Sequence, residues 1–107
     1  MSKQKASVQL FAVTSHDESV SRFKLITREL EVYSVPYSLL PLLVLSENKV
    51  LKIITHDIQA TLYGRNLDVI EEALSEGHLK WVKESPGKDD GISQVYINRI
   101  DIQLNED

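Results

Sequence analysis

The sequence predicts an α+β domain: a curved, mostly antiparallel sheet of about six strands, free to roll partly into a barrel, with one main helix at about residues 66–76. Three observations carry this. Several stretches alternate apolar and polar residues at the period of a strand. One stretch repeats at the period of a helix. Turn-forming residues separate them.

Residues 1–6 read as a disordered polar tail, residues 7–104 as a single domain, and residues 105–107 as a second tail. "SVQLFAVT" (7–14) fits a first strand, with Leu10 and Ala12 on one face and Phe11 and Val13 on the other. Ser15 and Glu18 have the spacing of a capping box, which allows one helical turn. "ELEVYSV" alternates cleanly, so a strand is predicted from about Phe23 to Val35. Pro36 and Pro41 bracket "YSLL" and push Val35 and Leu40 towards extended backbone. "LLVLS" (42–46) reads as a buried strand ended by the turn "SENK".

"VLKIIT" and "IQATLYG" flank His56 and Asp57 with the two-residue spacing of a tight hairpin. Asp tolerates the left-handed backbone such a turn requires. The helix follows, with Asn66 as expected N-cap, Gly77 as C′ residue, and Leu67, Ile70, Ala73 and Leu74 as its apolar stripe. Asp68, Glu72 and Glu76 form an acidic ridge on another face. "HLKWVKE" (78–84) reads as a strand, and residues 85–93 as a flexible loop. In "VYINRIDIQL" Ile100, Ile102 and Leu104 share one parity while Val95 and Ile97 take the other, which predicts a bulge near Asn98 or a strand buried on both faces.

Composition narrows the function classes. The chain has 107 residues and a net charge of −4, a length sufficient for one core that buries roughly 65% of the unfolded surface. No cysteine is present, which excludes thiol catalysis, disulfides and zinc fingers. "VPYSLLPLLVLS" is too short and too broken by proline to span a bilayer, and no signal peptide follows the N-terminal lysines, so a soluble cytoplasmic protein is expected. Residues 1–53 carry seven Lys/Arg and five Asp/Glu, and residues 54–107 carry five and eleven, for charges of +2 and −6. That imbalance allows complementary self-association, and the negative total disfavours nucleic acid as a partner.

No catalytic set converges in the sequence, and no cofactor is predicted. Adjacent residues on an extended chain point to opposite faces, so Asp57 is poorly placed to orient His56 as a base. His16, His56 and His78 are candidate metal ligands, but their spacing matches no metal motif. Arg65 and Asn66, at the helix start, form with His56 a candidate small-ligand site. Arg22, Lys24 and Arg28 beside Phe23, and Lys80 and Lys83 beside Trp81, are candidate contacts of a nucleic-acid accessory protein. Tyr37, Leu39, Leu40 and Leu42 are the candidate interaction surface. The leading expectation is a non-enzymatic protein-interaction or assembly module, its partner a protein and plausibly a second copy as a homodimer, acting through an apolar or sheet-edge surface.

Overall fold

The computed structural model describes residues 9–15, 18, 20–89 and 91–105. Among these residues the chain is α+β, with eight strands in two four-stranded sheets and one α-helix. The strands are β1 (Phe11–Val13), β2 (Arg22–Ile26), β3 (Val32–Pro36), β4 (Leu42–Ser46), β5 (Val50–Ile54), β6 (Ile58–Arg65), β7 (Leu79–Lys83) and β8 (Tyr96–Leu104). A 3-10 turn, Tyr37–Leu39, precedes β4, and the helix α1 (Asp68–Ser75) links β6 to β7.

The first sheet has the order β1-β7-β2-β3, with β2 and β7 parallel and the other pairs antiparallel. The second, β4-β5-β6-β8, is antiparallel throughout. The two sheets do not close into a barrel. One core joins them: Phe23, Leu25 and Val82 from the first meet Leu51, Ile53, Leu62 and Ile97 from the second. Ile70 and Leu74 of α1 complete it, as their helical spacing predicts. Among the described residues no helix is long and apolar enough to cross a membrane.

The end of α1 is as expected. Gly77 has a φ of 73°, its N–H donates to the Leu74 carbonyl, and the His78 N–H donates to Ala73 (2.9 Å). This is a Schellman ending. The start differs. Leu67 is the N-cap, without a side-chain cap, because Asn66 has a φ of 58° and its amide donates instead to the Gln94 carbonyl. The bulge near Asn98 is present: Tyr63 pairs with Arg99 but Gly64 pairs with Ile97.

Two turns depart from the expectation. The predicted strand from Phe23 to Val35 is a hairpin, β2–β3, folded back at Thr27–Glu31. The Thr27 side chain accepts the Glu31 N–H there, and Leu30 takes a φ of 67°. At residues 56–57 the register confirms a two-residue loop, with Thr55 N–H donating to the Ile58 carbonyl (2.8 Å), yet neither His56 nor Asp57 has positive φ. The Thr55 hydroxyl shapes this turn by accepting the N–H groups of Asp57 (3.2 Å) and Ile58 (3.1 Å). Asn105 ties it down, donating from its backbone to Asp57 and from its side chain to the His56 carbonyl.

The left-handed pair lies one hairpin earlier. Glu47 (φ 53°) and Asn48 (φ 61°) are spanned by a Lys49 N–H to Ser46 carbonyl bond, as in a type I′ turn. Asn at the first and Gly at the second position suit that turn best. Glu47→Asn combined with Asn48→Gly is therefore expected to stabilise the protein by about 1 kcal/mol, read as a higher urea midpoint at unchanged slope.

His16 and Asp17, with Ser19, lie outside the described residues, while of the two capping-box residues the Glu18 N–H donates to the Ser15 carbonyl (3.1 Å).

Candidate functional site

β4 is a terminal strand of its sheet, and its backbone bonding follows from the register. In an antiparallel strand the N–H and C=O of successive residues turn to alternate sides. Thr55 bonds to Ile58 on β6, so Ile53 and Leu51 also face β6, while Ile54, Lys52 and Val50 face β4. Their partners Leu42, Val44 and Ser46 are thereby bonded to β5. The N–H and C=O groups of Leu43 and Leu45 point the other way, along the edge, where no described strand pairs with them.

The remaining sheet edges carry devices that discourage pairing. β1 is three residues long, with a bulge between Ala12 and Val13. In β3 the Thr27 N–H to Glu31 carbonyl bond fixes the alternation and places Pro36, which has no N–H, among the outward-facing residues. β8 has its bulge at Asn98 and carries Arg99 and Asp101 on its solvent face. β4 has no charge, proline or bulge between Leu42 and Ser46.

Apolar side chains are exposed along this edge: Leu40 is 84% exposed, Leu42 60% and Val44 39%. Leu40 is also strained. It closes the 3-10 turn by donating to the Tyr37 carbonyl, and this sets its φ at 51°, against the extended backbone expected before Pro41. Tyr37 is fixed behind it, its hydroxyl donating to the Leu79 carbonyl and its ring 5.0 Å from that of Phe23. Burial pushes the Tyr37 hydroxyl up to about 12. A groove of about 600 Å³ opens between this segment and the C-terminal half of α1, with Tyr37, Pro41 and Leu43 on one wall and Leu74, Glu71 and Glu76 on the other.

The other candidate residues are dispersed or occupied. His56 and Arg65 lie beyond or at opposite ends of β6, on the order of 25–30 Å apart at about 3.3 Å per residue. Arg65 grips Asp89 in a two-pronged ion pair (2.7 and 2.8 Å) and donates to the Ser93 carbonyl. The guanidinium, through these hydrogen bonds, holds the Asp89 carboxyl down at about 2. With the Asn66 to Gln94 bond, Arg65 thus fastens the loop after β7. His78 lies beside Glu76 (3.5 Å) at the end of α1. Among the described residues no three His, Asp or Glu side chains are grouped to hold a metal.

Of the basic–aromatic residues, Phe23 is core and Arg28 pairs with Glu84. Lys24 and Trp81 are cross-strand neighbours on the first sheet. In sequence "LLVLS" reads as a buried strand. Its edge position depends on strand order, for which the segment itself carries no signal. The chain matches no family model, and no curated protein or solved structure is similar to it.

Proposed function

We propose that the protein is a non-enzymatic interaction or assembly module that takes a strand from a protein partner onto the edge of β4. One observation carries this reading: β4 is an edge strand without a protecting device, and apolar side chains line it. Strand addition would satisfy the outward backbone groups of Leu43 and Leu45. It would also cover Leu42 and Val44, whose exposure serves no purpose within a single chain. The strained Leu40 beside the edge fits a surface shaped for contact.

The test uses a lysine-flanked peptide carrying Leu42–Ser46, titrated into isotope-labelled protein. The expected result is protection of the Leu43 and Leu45 amides from hydrogen exchange, with the β8 amides unchanged. Val44→Lys should abolish that protection without lowering the urea midpoint, because Val44 is already exposed. If the Leu43 and Leu45 amides of the monomeric protein exchange at the same rate with and without peptide, the reading fails.

A further inference from the structure

Resting on the strand-addition reading above, we infer that the partner is a second copy of this chain, joined antiparallel through β4 about a two-fold axis at Val44. The hydrogen bonding selects this register. With Val44 opposite its own copy, each Leu43 faces the partner's Leu45, and both outward-pointing residues exchange N–H and C=O groups completely. Centring on Leu43 would set Leu45 opposite the partner's Pro41, which has no N–H to give. Centring on Leu45 would set Leu43 opposite the partner's Glu47, whose φ of 53° lies outside strand conformations.

The side chains are self-complementary in the same register. Val44 meets the partner's Val44 on the outer face, and Leu43 lies beside the partner's Leu45 on the inner face. β4 carries no charge, so the axis brings no like charges face to face. The nearest cation on that face is Lys52, paired with Val44 one strand further in. Its separation from the partner's Lys52 is about 14 Å, three strand spacings, and beyond the Debye length at physiological salt. The register also carries the partner's β4–β5 turn past Leu42 to the groove mouth. The turn it brings there, Glu47-Asn48-Lys49, carries no net charge, so it does not oppose Glu71 and Glu76 with a net like charge. The self-complementary register, together with the exposed Leu40 and Leu42 on the groove wall, favours a second copy over an unrelated strand.

The absence of cysteine makes the register directly testable. Val44 sits at a non-hydrogen-bonded position of the new pair, where Cα atoms approach to about 4.5 Å, within disulfide reach. Oxidised Val44→Cys should form a covalent dimer at least about tenfold faster than the control Leu104→Cys on the β8 edge, because pairing raises the local thiol concentration. Leu42→Cys and Ser46→Cys, mixed, should cross-link to each other rather than to themselves. Sedimentation equilibrium of the unmodified protein should show a dimer that Val44→Lys returns to monomer.

A dimer in which Val44→Cys fails to link faster than Leu104→Cys overturns the two-fold register and leaves the edge reading standing. A strict monomer at millimolar concentration, with the β4 peptide still protecting Leu43 and Leu45, overturns the second copy as partner. A monomer indifferent to the peptide ends both readings.

Discussion

Gly64→Ala is expected to cost about 3 kcal/mol or more, a larger loss than alanine at any of the other three glycines should cause. A Cβ at Gly64 would lie 1.9 Å from the Tyr96 carbonyl oxygen and 2.9 Å from its carbon, both backbone atoms. The origin is the bulge: between the Tyr63–Arg99 and Gly64–Ile97 pairs β8 carries Asn98 as an extra residue, and its backbone bends in towards β6. No side-chain rotamer can relieve such a clash. The strands must separate, which weakens the ladder that holds β8 to the core at Ile97 and Ile100.

Gly87→Ala is the control, since nothing lies within 4 Å of a Cβ there. Urea unfolding should show a large drop in midpoint for Gly64→Ala and almost none for Gly87→Ala. Amide exchange in the Gly64 variant should accelerate first along Tyr96–Leu104. A Gly64→Ala protein as stable as the parent would mean that β6 and β8 are not apposed as described.

Features written in local chemistry were legible, and those set by distant neighbours were not. The parity change between Ile97 and Ile100 announces the bulge because a strand has period two, so an extra residue must show as a phase slip. Gly77 announces the end of α1 because a left-handed C′ residue favours glycine. Left-handed backbone at Leu30, Leu40 and Glu47 has no such signal, for these residue types avoid it and the backbone bonds that close each turn carry no mark in the side chains. The segment around Leu30 therefore reads as strand in the sequence. "SENK" shows a turn at Glu47 and Asn48, but nothing in it marks that turn rather than His56-Asp57 as the left-handed one.

The division into two sheets depends on β2 pairing in parallel with β7, Lys24 opposite Trp81, across most of the chain. No periodicity within either segment specifies that. The candidate site shares the difficulty. The apolarity of Leu42–Ser46 is visible in sequence, but an apolar strand in the middle of a sheet is core and the same strand at an edge is a surface. Strand order makes the difference.

Arg28→Met is expected to cost about 2–3 kcal/mol, because it removes the partner of a buried carboxylate. The Glu84 side chain is only 8% exposed and lies 3.3 Å from the Arg28 guanidinium, which also donates to the carbonyls of Ser85 and Asn98 (3.1 Å each). One side chain thus pins the β2–β3 turn to the end of β7 and to the bulge in β8, joining the two sheets. Arg28 itself is 50% exposed, so water recovers part of the loss, and the expected cost is below that of breaking a fully buried pair. Glu84→Gln should restore part of the stability in the Arg28→Met background, since a neutral amide costs less to leave without its cation. A double-mutant cycle by urea unfolding measures that coupling, and additive losses would show that the pair contributes nothing. The clamp acts at the bulge, on the side of the second sheet opposite β4. Under conditions where Arg28→Met remains folded, Val44→Cys in that background should therefore still cross-link at the parental rate. Loss of cross-linking there would instead make the edge depend on how the two sheets are joined.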